Sequence, residues 1–186
     1  MSGTMIVICA PSGTGKSTLL NRLKADIPDL VWSVSCTTRP IRTGEVHGKD
    51  YYFIKRDTFE KQIADDEFIE YAKVHSNYYG TSKRFVNEGL TQGWNMLFDL
   101  DVQGADAMKR IYGNEAQVIF IEPPSVEELE KRLLARGTDS KEVIAERISN
   151  ARRELEQKEK YDHLILNDDV DRAYQKLKAV VERILK

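Results

Sequence analysis

The chain has 186 residues, 41% of them hydrophobic and 31% charged, which suits one compact domain with small insertions and a real buried core. Its 28 basic and 30 acidic residues leave a net charge of −2, which excludes a nucleic-acid binder that relies on a generally basic surface. No apolar stretch nears the ~20 residues of a membrane span, and Met1-Ser2-Gly3-Thr4 lacks the basic-then-apolar pattern of a secretory leader, so a soluble cytoplasmic protein is expected.

The first element in chain order is a strand over Met5–Ala10, a short continuous apolar run of the kind buried on both faces. Cys9 lies inside it and reads as a small buried hydrophobe. With Cys36 it makes no disulfide framework, and no histidine or third thiol sits at metal-ligand spacing. A helix follows over Lys16–Ala25, with Leu19, Leu20 and Leu23 on one face, and then a strand over Val31–Ser35. From Thr37 to Gly93 the chain turns rich in Tyr, Phe, Thr, Gly and charge. Short amphipathic strands at Tyr51–Ile54 and Phe68–Val74, with a helix near Thr58–Ala64, mark an inserted subdomain around a small mixed sheet.

Beyond Gly93 buried-type strands return at Met96–Asp101, Gln117–Glu122 and His163–Asn167. They alternate with helical patterns over Val102–Ile111, Val126–Arg136, Glu142–Lys158 and Val170–Leu185. This alternation predicts an α/β fold: a parallel sheet covered by helices on both faces. Ala151–Lys160 is laced with charge and reads as a solvated face, Arg152 and Arg153 included. His47, His75 and His163 are isolated and read as loop or strand-edge residues.

The strongest local signal is Ala10-Pro11-Ser12-Gly13-Thr14-Gly15-Lys16-Ser17, set between the first strand and the first helix. Gly13 and Gly15 open backbone conformations closed to other residues, so successive N–H groups can curl around a phosphate. The helix starting near Lys16 aims its positive end at the same point. Lys16 offers a mobile charge to β and γ phosphates, Ser17 a hydroxyl to Mg²⁺, and Thr18 follows. The motif's first glycine slot holds Ala10, which is small enough for the strand end to turn. A GTPase would add an Asn-Lys-x-Asp element. Asp101-Val102-Gln103-Gly104 fits DxxG, but no Asn-Lys pair occurs in the chain.

A guanine presents an acceptor beside two donors, so a pocket for it needs a carboxylate and hydroxyls, and a monophosphate needs arginines and tyrosines. The insert holds all of these. The chain resembles the guanylate kinases nearly end to end. The residues that carry the likeness are the phosphate loop, Ser33–Arg39, Arg42–Tyr51, Phe68–Glu70, Asn77–Thr81, Asp99–Asp101 with Gln103-Gly104, Pro123–Ser125, Arg136–Thr138 and Asn167–Asp169.

The resemblance implies a P-loop kinase fold with a nucleoside-monophosphate-binding insert at 37–93, a helical lid at about 125–159, and a core of 1–36, 94–124 and 160–186. It implies ATP-dependent phosphorylation of GMP, and of dGMP, to the diphosphate. Arg39, Arg42, Tyr51 and Tyr79 would hold the GMP phosphate. Glu70 would accept from guanine N1 and N2, Ser35 and Thr81 would donate to O6, and Asp101 would lie near the base or sugar. Asp99 would organise Mg²⁺ through water, with Ser17, and Asn167 would touch the adenine of ATP. Arg132 and Arg136, four apart on one helix face, would join Arg147 in a lid closing over ATP. The expected partners are GMP and ATP, with no nucleic acid and no membrane, and a monomer and a homo-oligomer fit equally well. Two other readings remain: a kinase of a phosphorylated ribose, which would not need Ser35, Glu70 and Thr81 together, and a non-catalytic guanylate-kinase-like binding module, which would not need an intact Gly15-Lys16-Ser17.

Overall fold

The computed structural model describes residues 3–74, 76–136 and 140–186, with Val74 and Arg136 described in their backbone only. His75, Gly137 and Thr138 therefore lie outside the described residues. Five parallel strands form the main sheet: β1 (Thr4–Cys9), β2 (Val31–Trp32), β7 (Asn95–Asp99), β8 (Ala116–Glu122) and β9 (His163–Leu166), in the order β2-β7-β1-β8-β9. Met5–Cys9 of β1 are fully buried, as the unbroken apolar run predicts for a strand covered on both faces.

Strand alternation divides the apolar side chains between two layers. Met5, Val7 and Cys9 join Phe98, Phe120 and Met108 on one face, which α3 (Lys83–Gln92) and α4 (Val102–Tyr112) cover. Ile6 and Ile8 join Leu19, Leu23, Leu177 and Val181 on the other, under α1 (Lys16–Asp26) and α7 (Val170–Ile184). From β1 the chain crosses to β2 at one edge, returns through β7, and then passes to β8 and β9 on the opposite side. The C-terminal ends of β1, β7 and β8 thus flank the point where the winding reverses, the usual place for a ligand crevice in such sheets.

The strand expected over Val31–Ser35 pairs with β7 only at Val31 and Trp32. The chain then leaves the main sheet and enters a second one at β3 (Cys36–Thr37). That sheet has the order β4-β3-β6-β5, with β4 (Tyr52–Phe53), β5 (Phe68–Val74) and β6 (Asn77–Ser82). Its own core is Cys36, Phe59 and Phe68, and Phe59 of α2 (Arg56–Ala64) stacks on Phe68 at 4.4 Å and on Tyr78 at 5.2 Å. Three elements had no reading in the sequence: the two-residue β3, β6, whose NYYGTS is polar, and α3, which buries Val86 against the main sheet rather than within the second one. Two further helices, α5 (Val126–Arg136) and α6 (Lys141–Glu156), share a third cluster of Leu129, Leu133, Ile144, Ile148 and Ala151.

Candidate functional site

The phosphate loop follows the buried end of β1 and runs straight into α1. Gly13 and Gly15 sit at φ values of 92° and 95°, the left-handed region where a side chain is strained. Ala10 is only 8% exposed and causes no break, so the loop closes without a glycine in its first slot. Thr14 is buried and donates its hydroxyl to the Pro11 carbonyl at 2.7 Å, tightening the turn. Ser17 and Thr18 are exposed at the mouth.

Lys16 lines the cleft over the loop and bonds to the end of β7. Its ammonium sits 2.6 Å from the Asp99 carboxylate and donates to the Leu100 carbonyl. The two residues assigned to opposite roles at the phosphates are therefore ion-paired here. A cleft of about 560 Å³ lies over the loop, lined by Ala10–Thr18, Asp101, Gln103, Arg147, Asn150 and Glu154. Two surface cavities elsewhere, of about 500 and 740 Å³, are not lined by the phosphate loop.

Helices α5 and α6 touch the loop. Arg132 donates from Nη1 to the Thr14 carbonyl at 3.3 Å and from Nε to Glu128 at the same distance. Arg147 donates to the Ser12 hydroxyl at 3.1 Å. A Cβ on Gly13 would come within 2.8 Å of Leu133, so this glycine serves the docking of α5 as well as the turn. Arg136 ends α5, and its side chain lies outside the described residues.

Across the strand ends, the second sheet assembles the other expected residues. A bulge between Phe68 and Glu70 sends Ile69 into the core under α4 and brings Glu70 opposite Thr81 on β6. Thr81 is fully buried and donates its hydroxyl to Glu70 at 2.6 Å, so the proton expected at guanine O6 is spent on the carboxylate. Burial pushes the Glu70 carboxyl above the usual glutamate range. The Thr81 hydrogen bond works against that shift and the charge of Asp101 adds to it.

Arg39 lies over the rings of Tyr51 and Phe53 at 5.5 and 5.6 Å, while the Tyr51 and Tyr79 rings meet edge-on at 5.8 Å. Arg42 is exposed. Ser35 accepts at its carbonyl from the Tyr52 N–H at 2.9 Å, which holds it at the edge of the second sheet. Asp101 caps α4 by accepting from the Gly104 N–H at 2.8 Å, at the cleft side. A second cavity of about 360 Å³ holds Glu70, Ala72, Ala107 and Arg110, and Gln103 lines both it and the cleft over the loop. Asn167, expected at adenine, is 5% exposed and donates to the Thr14 carbonyl at 2.7 Å.

Sequence reasoning missed three residues. Glu45 bonds Arg39 at 2.6 Å with one carboxylate oxygen and accepts from the Arg42 N–H at 2.8 Å with the other. The Arg39 guanidinium, with that N–H, holds its carboxyl below the usual range. Its place three residues after Arg42 in the Arg42–Tyr51 motif was the available signal. Asn150 and Glu154 line the cleft, although Glu154 was read as part of a solvated helix face. They stand three and seven residues beyond Arg147, the spacing of one helix face. Ala151 in the same stretch is only 1% exposed, whereas Arg152 and Arg153 are exposed as expected. Cys9, immediately before the loop, is no nucleophile: burial pushes its thiol up to about 12.

A lysine-bearing glycine loop at the C-terminal edge of a parallel sheet, with arginine-bearing helices against it, defines a phosphate-binding-loop protein of the kinase type. The family model for guanylate kinase matches residues 2–184. The chain belongs to the guanylate kinase family. It is 45% identical over 181 residues to the guanylate kinase of Sulfurimonas denitrificans, covering 97% of this chain and 88% of that one. It is 47% identical over 178 residues to that of Nitratidesulfovibrio vulgaris, covering 96% and 86%. The crystal structure of guanylate kinase from Anaplasma phagocytophilum superimposes with a TM-score of 0.73 at 32% identity, over 98% of this chain and 86% of that one.

Proposed function

We propose that the chain transfers the γ-phosphoryl group of ATP to the phosphate of GMP, giving ADP and GDP. The observation that carries this reading is the Glu70–Thr81 pair beside the Arg39–Tyr51–Tyr79 cluster, set across the strand ends from the Lys16 loop, with Gln103 lining the cavities on both sides. A phosphorylated-ribose kinase needs no half-buried carboxylate for a base. A binding module needs no intact Gly15-Lys16-Ser17.

In this reading the acceptor phosphate oxygen attacks the γ phosphorus in line. It is already ionised near neutral pH, so no general base is required. Catalysis rests on positioning and on positive charge at the transferring group. Lys16 would exchange Asp99 for the β and γ phosphates, and Arg132, Arg136 and Arg147 would add charge from the lid. Arg39 and Arg42 would clamp the acceptor, with Tyr51 and Tyr79. Glu70 would accept from guanine N1 and N2, Ser35 would donate to O6, and Asp101 would sit by the base or sugar. Because dGMP carries the same base and phosphate, it is taken as a second acceptor.

Mg²⁺ fits the donor set. Ser17 and Asp99 offer hard oxygens at the cleft, and a cation that keeps its waters and binds phosphate oxygens needs no cage of protein ligands. Among the described residues no three His, Cys, Asp or Glu side chains form one. When bound, Mg²⁺ would neutralise charge developing on the β and γ oxygens.

The insert (37–93) and the lid (125–159) would move against the core as both nucleotides bind, excluding water that would otherwise hydrolyse ATP. Separate small cores for the second sheet with α2 and for α5 with α6 support this division, whereas α3, although within 37–93, packs on the main sheet and would stay with the core. No described helix is long and apolar enough to cross a membrane, and the reading keeps a cytoplasmic setting. A coupled assay of ATP consumption with GMP, dGMP, AMP, UMP and ribose 5-phosphate tests the proposal. GMP should lead, and faster turnover of AMP or ribose 5-phosphate would overturn it.

A further inference from the structure

The amide of Asn167 joins two parts of the chain that are 153 residues apart. Its backbone N–H donates to the Glu122 carbonyl at 2.8 Å, which prolongs the β8–β9 ladder by one rung and fixes where the side chain starts. From there Nδ2 reaches the Thr14 carbonyl at 2.7 Å. A Cβ on Gly15 would lie 2.8 Å from the same nitrogen, so the amide packs directly against the loop backbone. The peptide between Thr14 and Gly15 is trans, hence its N–H points opposite to its carbonyl. A carbonyl drawn toward Asn167 turns the Gly15 N–H away from it.

Arg132 donates to the same oxygen from the lid at 3.3 Å. A carbonyl has two lone pairs, so both donors are accommodated. If Arg132 swings to a phosphate, Asn167 remains as the fixed partner.

We propose that Asn167 is a positioning residue of the phosphate loop: it holds the Thr14–Gly15 peptide in the orientation that presents its N–H to a polyphosphate. This rests on the loop being the triphosphate site. It differs from an adenine contact in a measurable way, because loop positioning is blind to the base.

The test is calorimetric titration of wild type, Asn167→Ala and Asn167→Leu with Mg²⁺–ATP, Mg²⁺–tripolyphosphate and GMP. The leucine keeps the size, removes the donor and adds no charge, and it stands in if the alanine variant fails to fold. Removing the donor should weaken ATP and tripolyphosphate by the same factor, about tenfold. GMP affinity should be unchanged, which a general loss of structure would not allow. Loss of ATP affinity with tripolyphosphate intact would assign the residue to adenine and overturn the proposal, as would no loss for either. Wild type that binds ATP but not tripolyphosphate would overturn the loop reading beneath it. In wild type, the ¹⁵N resonance of the Asn167 side-chain amide gives a check without mutation. It should respond alike to ATP and tripolyphosphate, and a response to ATP alone would contradict positioning.

Discussion

The proposed donor cradle occupies one stretch, Ala10 to Thr18, while the proposed acceptor pocket draws on loops and strands scattered between Ser35 and Thr81. The cradle takes its shape from local backbone: two left-handed glycines, a buried strand before them and a helix after. The pocket exists only once β3 has paired with β6 and β6 with β5. Both keep a cation on a leash, Lys16 on Asp99 and Arg39 on Glu45. Within the pocket itself, two carboxylates are shifted in opposite directions. Glu70 is shifted up by burial, and Glu45 is shifted down by Arg39. Damage to the cradle should therefore appear in turnover, and damage to the pocket in GMP affinity and its pH dependence.

The sharpest break in that contrast is Lys16→Ala. It removes the mobile charge at the transferring group and leaves the core untouched, so turnover should fall about a hundred- to a thousandfold with the melting temperature near wild type. Near-normal turnover in the folded variant would end the cradle's claim on the chemistry.

Glu70→Gln probes the other side. Guanine N1 and N2 should lose a paired acceptor, weakening GMP by about 1–3 kcal/mol in titration while ATP binding holds. The pH dependence has a definite sign. A carboxylate raised by burial takes up its proton at a higher pH in the folded state than in the unfolded one. It therefore lowers stability as pH rises through that window. The glutamine variant should melt higher than wild type at neutral pH while binding GMP more weakly. On acidification, wild-type GMP affinity should start to fall above the ordinary glutamate range. The titration of GMP itself is common to both enzymes, so the difference between them isolates Glu70. Identical pH profiles would remove Glu70 from the base contact.

Gly13→Ala is smaller and crosses the boundary between loop and lid. The new side chain meets a φ of 92° and a methyl of Leu133 at 2.8 Å. Forcing a left-handed residue costs about 1–2 kcal/mol, read as a lower melting temperature. ATP binding should weaken along with stability, and GMP binding should not. An unchanged melting temperature would mean that α5 does not rest on the loop.

This contrast also governs what the sequence could disclose. The cradle was legible because its information is contiguous: Met5–Cys9, Gly13, Gly15 and Lys16-Ser17 imply strand, turn and helix without distant partners. Four of the five parallel strands were legible for the same reason, each a self-contained apolar run, whereas β2 was read as Val31–Ser35 and is only Val31–Trp32. The insert was harder to read. No local pattern announces that Ser33–Ser35 abandons one sheet for another, or that a bulge at Ile69 turns Glu70 toward Thr81. The α3 helix escaped because only Phe85, Val86 and Leu90 are apolar in a polar stretch. Asn167 and Glu45 were in view as letters, but their partners, Thr14 and Arg39, are fixed by tertiary geometry.

Glu45→Gln is the gentlest change and divides two accounts of Arg39. One oxygen of Glu45 binds the guanidinium and the other the Arg42 N–H, so the carboxylate can set both acceptor arginines before GMP arrives. The same contact could equally compete with the GMP phosphate for Arg39. Pre-setting predicts a KM for GMP raised about three- to tenfold, with kcat and the KM for ATP near wild type, because a charge-assisted bond is replaced by a weaker neutral one. Competition predicts a lower KM for GMP. Pre-setting is favoured because Arg39 already lies over the Tyr51 and Phe53 rings, so Glu45 holds it in place rather than away. Acidification should separate the two glutamates: Glu70, raised by burial, protonates first, while Glu45, lowered by Arg39, keeps its charge and its contribution until the pH falls through its depressed value.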